Sequence, residues 1–210
     1  MSERESDARF WDRISGYYSR KPVPDETAYQ YKLDTTDAHL RANDRVLEVG
    51  CGTGSTAIYH APKVAHIDAT DISPKMIEIA RDKAAAAGIE NVTFDVSSID
   101  ALNVTAGSYD VVLAHSILHL VADVPAALRK LRAALKPGGV LTSSTACIGD
   151  TAAWLGWVAP FGRAIGLLPR INVFTEAQLR QWIVEAGFEI ESVWTSKPGA
   201  SPYFVARATE

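Results

Sequence analysis

Val46-Leu47-Glu48-Val49-Gly50-Cys51-Gly52-Thr53-Gly54 is the stretch that decides the fold. An aliphatic strand, Arg45 to Val49, runs into a loop with glycine at alternate positions, and a helix begins at Ser55. Such glycines let the backbone turn sharply at the carboxyl end of a first strand and let a ligand approach with no Cβ in the way. The spacing of Gly50, Gly52 and Gly54 is GxGxG, whereas dinucleotide binders carry GxGxxG. Asp71 follows Gly50 by 21 residues, at the end of a second strand, where a carboxylate accepts hydrogen bonds from ribose hydroxyls. Glu48 places an anion one turn before the loop, which attracts an ammonium group and repels a pyrophosphate.

Outward from this loop the pattern alternates short β-branched runs with amphipathic stretches, the mark of βαβ units and a mostly parallel sheet. The second strand is read at His66 to Thr70, the third at Asn91 to Val96, the fourth at Tyr109 to Ala114 and the fifth at Val140 to Thr145. Ser73-Pro74 supplies a cap and a first-turn proline for a helix that Gly88 closes. Val124, Ala127, Leu128, Leu131 and Leu135 share one face of a helix that ends at Lys136-Pro137-Gly138-Gly139. Thr175 caps a late helix, and Phe188 to Thr195 with Pro202 to Ala208 reads as a closing antiparallel pair. The expected class is therefore α/β: a Rossmann-like, seven-stranded, mostly parallel sheet with helices on both faces and a last antiparallel strand. Residues 1–41 read as mainly helical, broken at Pro22 and Pro24.

Aromatic residues are distributed unevenly. Six lie in residues 1–31 and nine in 151–210, leaving Tyr59, Phe94 and Tyr109 between. With Lys+Arg 21 against Asp+Glu 25 the net charge is −4, and no basic cluster is present, which argues against a nucleic-acid partner and against an anionic membrane surface. The longest apolar-rich uncharged run, Thr151 to Gly162, is too short to span a bilayer. Cys51 and Cys147 have neither disulfide-framework nor metal-ligand spacing, so no metal is expected. The charged start, Met1 to Arg9, lacks the apolar core of a signal peptide, and a cytoplasmic location is the expectation.

Five ordered blocks carry a resemblance to a known family: VLEVGCGTG (46–54), TDISPKMIEIAR (70–81), YDVVLAHSILHL (109–120), LRKLRAALKPGGVL (128–141) and FTEAQLRQWIVEAGFEI (174–190). Together they resemble the class I S-adenosylmethionine-dependent methyltransferases, in particular small bacterial enzymes of the ubiquinone/menaquinone-biosynthesis type. The resemblance implies S-adenosyl-L-methionine as cofactor and S-adenosyl-L-homocysteine as product. It implies that Glu48 and the loop of Gly50, Cys51, Gly52 and Gly54 face the methionine part, that Asp71 binds the ribose, and that Ile72 and Met76 pack on the adenine. The family's acidic residue after the third strand is absent or shifted here, and Ser98 and Ile99 take its place in the alignment. One methyltransferase domain over 1–210 is expected, with an N-terminal helical cap (1–41), a cofactor-binding core (42–145), an inserted lid (146–174) and a C-terminal helix with antiparallel strands (175–210).

His115 and His119 follow the fourth strand, where this fold places the methyl acceptor. Either is a candidate general base; the competing reading has His115 lining the cofactor pocket through its backbone and His119 packing structurally. Their spacing also resembles a zinc pair, but the glutamate of HExxH and a third ligand are missing. The Asp/Asn-Pro-Pro-aromatic run of amine methyltransferases acting on bases, the acidic magnesium ligands of catechol-type enzymes and the several cysteines of arsenite methyltransferases are all lacking. Tyr18, Tyr31, Trp154 and Trp157 are candidate acceptor-pocket residues, with core packing as the competing reading. The expected reaction is in-line methyl transfer to a small apolar or aromatic molecule. The alternatives are a non-catalytic sensor or scaffold that binds the cofactor, and a nicotinamide-dependent reductase, which the glycine spacing disfavours.

Overall fold

A computed structural model describes residues 3–164 and 166–209 of the 210-residue chain. Its strands form a seven-stranded sheet in the order β3-β2-β1-β4-β5-β7-β6. The pairs β1/β2, β2/β3 and β4/β5 are parallel, and β7 runs antiparallel to both β5 and β6. The mostly parallel sheet expected from the sequence is present. The chain divides into two compact units, Met1–Ser98 and Ile99–Glu210.

In the first unit, α1 (Glu3–Arg20) and α2 (Glu26–Asp37) precede β1 (Arg45–Val49). The break between these helices holds Pro22 and Pro24, and Asp25 caps α2 by accepting from the Ala28 N–H at 2.9 Å. Val46, Leu47 and Val49 are wholly buried, as befits a strand covered on both faces, and each such side chain contributes about 1.5–3 kcal/mol. Helix α3 (Ser55–His60) begins where expected and gives way to a single tighter turn, Ala61–Lys63, which holds Pro62. β2 (His66–Asp71) extends one residue beyond expectation, so Asp71 is its last residue. In α4 (Pro74–Ala86) the Ser73 Oγ accepts from the Met76 N–H at 3.1 Å, a cap worth about 1 kcal/mol. At its other end the Ile89 N–H reaches back to the Ala84 carbonyl at 2.9 Å around Gly88, whose φ is 66°. β3 (Val92–Val96) buries little besides Phe94.

The second unit contains β4 (Tyr109–His115), α5 (Val124–Ala134) and β5 (Leu135–Ser144). One expectation is corrected here. Leu135, read as the last apolar position of the helix, is instead extended and pairs with Tyr109 as the first residue of β5. The pairing resumes only at Val111 with Val140, so Lys136-Pro137-Gly138-Gly139 loops out as a bulge within the strand. Gly138 has φ 73°, and a Cβ on Gly139 would lie 3.0 Å from the Asp110 carbonyl oxygen, so both glycines are needed there.

The insertion after β5 forms α6 (Ile148–Thr151) and α7 (Leu155–Ala164), with Pro160 inside the second. Its ties to its own unit include the Glu176 N–H donating to the Asp150 Oδ2 at 2.7 Å and two others. The Gly149 N–H donates to the Phe174 carbonyl at 2.8 Å, and Asn172 donates from its backbone to the His119 carbonyl at 2.8 Å and from Nδ2 to the Val121 carbonyl at 2.5 Å. α8 (Glu176–Glu185) starts with a capping box of Thr175 and Gln178, and β6 (Phe188–Trp194) and β7 (Tyr203–Ala208) close the sheet.

Candidate active site

The glycine loop is built by its neighbours. Gly50, Gly52 and Gly54 have φ of 69°, 53° and 75°, a region that disfavours any residue with a Cβ. At Gly54 space forbids one as well, since a Cβ would lie 2.8 Å from both the Ala80 Cβ and the Phe94 ring. Phe94, one of three aromatic residues in the aliphatic centre of the chain, thus fills the volume that Gly54 vacates. Lys83 of α4 donates to the Thr53 Oγ1 at 2.9 Å and the Ser55 Oγ at 3.3 Å, gripping the loop from its helix side.

Asp71 holds the same loop by its carboxylate. One oxygen accepts from the Gly52 N–H and the other from the Ser73 N–H, each at 2.9 Å. The Ile72 N–H is a third backbone donor to this carboxylate, which keeps part of its acceptor capacity for a ligand hydroxyl. Burial raises the Asp71 pKa, and the nearby Asp12 adds to that rise while the backbone donors oppose it.

Glu48 is 3% exposed, and its Oε2 has no hydrogen-bond partner among the described residues. Burial pushes its pKa up to about 8, with the Asp71 charge adding to the rise and a backbone bond from Ala57 opposing it. A buried carboxyl with an unused oxygen at the mouth of a glycine loop is costly to keep unless a cationic donor meets it. The orphaned oxygen and the room at Gly52 fit the ammonium and backbone of an amino-acid ligand. Cys51, also buried, has its thiol pKa raised by burial and by the charges of Glu48 and Asp71, so it is an inert loop residue.

Tyr18 lies with this group: its ring is 4.0 Å from where a Gly52 Cβ would stand, and the Asp71 charge, after desolvation, raises its hydroxyl pKa. Tyr29 was not among the candidates, yet its hydroxyl bonds the Thr56 side chain and feels the charge of Glu48, with burial raising its pKa. The signal for it was the set of tyrosines at helical spacing in residues 17–31, which did not distinguish one tyrosine from another. Tyr31 is 38% exposed, Met76 is buried and Ile72 half-buried. Ser98 is half-buried and Ile99 buried.

In the second unit, His115 ends β4 with its Nε2 3.0 Å from the Thr142 Oγ1 and its ring 5.8 Å from that of Tyr203. His119 meets Thr145 twice: its backbone N–H donates to the Thr145 Oγ1 at 3.2 Å, and its Nδ1 lies 3.0 Å from that oxygen. The hydroxyl oxygen can accept from the backbone N–H and still either donate to Nδ1 or accept from it, according to the tautomer of the ring. Burial lowers the His119 pKa to about 4, so the ring is neutral at physiological pH. The lid aromatics stand open: Trp154 is 63% exposed, Trp157 83% and Phe161 77%. Among the described residues no group of three or more His, Cys, Asp or Glu is placed to hold a metal, and no helix is long and apolar enough to cross a membrane.

Residues 25–193 match the family described as a methyltransferase domain. A ubiquinone biosynthesis O-methyltransferase of Xanthomonas axonopodis is 32% identical over 193 residues, covering 88% of this chain and 77% of that protein. The crystal structure of YcgJ from Bacillus subtilis superposes with a TM-score of 0.71 at 17% identity, covering 86% of this chain and 99% of the other. An S-adenosylmethionine-dependent methyltransferase from Mesorhizobium loti gives 0.66 at 22% identity, covering 79% and 91%. A sheet of this order, a glycine loop flanked by two acidic residues and a match over most of the chain lead to one conclusion: the chain belongs to the methyltransferase-domain family.

Proposed function

We propose that the chain binds S-adenosyl-L-methionine through its first unit and methylates a small, apolar, hydroxylated aromatic molecule. The observation that carries the reading is Glu48, a buried carboxyl with an unused oxygen beside a glycine loop. Bound there, the cofactor would supply an electrophilic sulfonium methyl. An acceptor oxygen would bond to the methyl carbon in line as the C–S bond breaks, the neutral thioether would leave with the bonding pair, and the acceptor's hydroxyl proton would pass to solvent. Glu48 receives the ammonium group, and Asp71 offers its remaining acceptor capacity to the ribose hydroxyls. Gly52 keeps the approach clear of a side chain, while Ile72, Met76, Ser98 and Ile99 bound the adenine. Because such a transition state disperses charge, alignment and exclusion of water contribute most.

The relative's name supports oxygen as the methylated atom, and the exposed Trp154, Trp157 and Phe161 support an apolar acceptor, for which lid aromatics supply contact area. His119, neutral near pH 7, suits a hydrogen-bonding group at the acceptor better than a general base, since a group with a pKa of about 4 takes up protons weakly. His115 is held toward Thr142 and serves to shape the site. We read 1–210 as one functional domain with the cap, core, lid and C-terminal segments at the boundaries given above. The net charge of −4 speaks for a small-molecule partner over a nucleic acid, and the two free, buried cysteines suit a reducing, cytoplasmic setting.

Calorimetry with S-adenosylmethionine and S-adenosylhomocysteine tests the cofactor, and transfer of labelled methyl to a panel of phenols and other acceptors tests the reaction. Binding of both with O-methylated aromatic products is expected. Absence of binding to either ligand rejects the cofactor assignment. Binding without transfer to any acceptor favours a sensor or scaffold.

A further inference from the structure

Helix α1 has little apolar burial to hold it in place. Of its residues 5–20 only Ser15 is buried, while Tyr17 is 65% and Tyr18 48% exposed. α1 nevertheless packs against α4, and the Asp12 side chain bonds to the start of that helix. The Asp12 Oδ1 accepts from the Ser73 Oγ–H at 2.5 Å and from the Lys75 N–H at 3.1 Å, at the first turn of α4. A carboxylate there also meets the positive end of the helix dipole.

Ser73 is itself the hinge of the cofactor loop. Its Oγ accepts from the Met76 N–H at 3.1 Å, and its own N–H donates to the Asp71 Oδ1 at 2.9 Å. Asp71 in turn accepts from the Gly52 N–H at 2.9 Å. A continuous chain of hydrogen bonds thus runs from Asp12 through Ser73 and Asp71 to Gly52. Six residues beyond Asp12, about 9 Å along the helix, α1 presents Tyr18 to that same Gly52. The Trp11 ring meets the Tyr18 ring edge-on at 6.4 Å and fixes its direction.

We propose that Asp12 is a positioning residue that docks α1 on the start of α4 and so places Tyr18 against the cofactor loop, making helix docking and cofactor binding mutually reinforcing. This rests on the cofactor reading above. By reciprocity, whatever strengthens docking strengthens cofactor affinity, and cofactor in turn protects α1 from opening. Asp12 bonds a hydroxyl and a backbone N–H and stands near the Asp71 charge, and an amide oxygen at this position makes the same two bonds without that repulsion. An apolar side chain makes neither.

The test uses the full chain and S-adenosylhomocysteine as probe, with affinity read by calorimetry and α1 opening by amide hydrogen exchange. Asp12→Leu is expected to weaken binding about tenfold and to abolish the protection of α1 amides by ligand, whereas Asp12→Asn retains both. Tyr18→Leu is expected to weaken binding in the natural background and to add little in the Asp12→Leu background, since the two act through one contact. Should Asp12→Leu fold poorly, Ser73→Ala breaks the same link and is expected to show the same loss. Natural affinity in Asp12→Leu, failure of Asp12→Asn to rescue, or additive losses with Tyr18→Leu would each overturn the proposal. If the natural chain itself fails to bind the probe, the cofactor reading falls instead, and that result is distinct from any variant outcome.

Discussion

The cofactor loop and the inserted lid solve opposite problems. Residues 48–54 are fixed from every side: positive φ at three glycines, Phe94 and Ala80 against Gly54, Asp71 on the Gly52 N–H and Lys83 on Thr53. Residues 150–171 are fixed at their ends, by Gly149 with Phe174 and by Asn172 with His119 and Val121, and in between they expose Trp154, Trp157 and Phe161. On the reading proposed above, the first region holds the cofactor and tolerates no slack, and the second offers its exposed aromatic groups to the acceptor.

The largest effect is expected at the loop. Gly54→Ala forces a Cβ to 2.8 Å from two neighbours at a φ of 75°, and a loss of about 2–4 kcal/mol in urea unfolding, with cofactor binding abolished, is the expected outcome. A mild effect would mean that the loop gives way as the lid does, and the contrast would break.

Glu48→Gln sharpens it. Because burial raises the folded pKa to about 8, above its unfolded value, the cofactor-free protein loses stability as pH rises from about 4.5 toward 8. Glutamine removes that dependence, so the variant is expected to be the more stable by a few kcal/mol at pH 8 and about equal at pH 4. It is also expected to bind S-adenosylmethionine on the order of 100-fold more weakly, since the ammonium loses its carboxylate. Melting curves across pH with paired calorimetry check both, and parallel pH profiles for the two proteins would count against a buried acid.

For the lid the expected signature is different. Trp157→Ala, at a side chain 83% exposed, is expected to leave stability within about 0.5 kcal/mol and S-adenosylhomocysteine affinity unchanged, while raising the acceptor KM about tenfold. A loss of cofactor affinity in this variant would erase the division of labour between the regions. Smallest of all is His119→Ala: with the ring already neutral near pH 7, the pH–rate profile between pH 6 and 9 is expected to keep its shape, with only a modest fall in kcat. A lost limb in that profile would restore the general base.

The same contrast explains what could be read from residues alone. Elements coded by neighbours in sequence were legible: Ser73-Pro74 opens α4, Thr175 with Gln178 opens α8, and Gly50, Gly52 and Gly54 mark the strand-to-helix loop. Glu48 and Asp71 were legible as a pair because both sit at strand ends whose spacing is set by one βαβ unit. Features made by distant partners were not. Asp12 meets Ser73 across 61 residues, and nothing in the sequence around Phe10-Trp11-Asp12 announces a partner so far along the chain. Leu135 matched the helical period of α5 perfectly well, and only its pairing with Tyr109 makes it a strand residue. Trp154 and Trp157 carried a composition signal, but exposure is a property of the folded surface and cannot be read from residue type.

Two of the insertion's ties have a consequence for how such a protein diversifies. Gly149 is pressed against the Phe174 backbone, where an added Cβ would lie 2.7 Å from its carbonyl carbon, and Asn172 spends its backbone N–H and its side-chain amide on the loop after β4. Between these clasps the exposed positions Trp154, Trp157 and Phe161 are expected to accept replacement while the strands that carry the segment keep their register. Segments transplanted between relatives at these two clasps offer a route to new acceptor preferences on an unchanged cofactor platform.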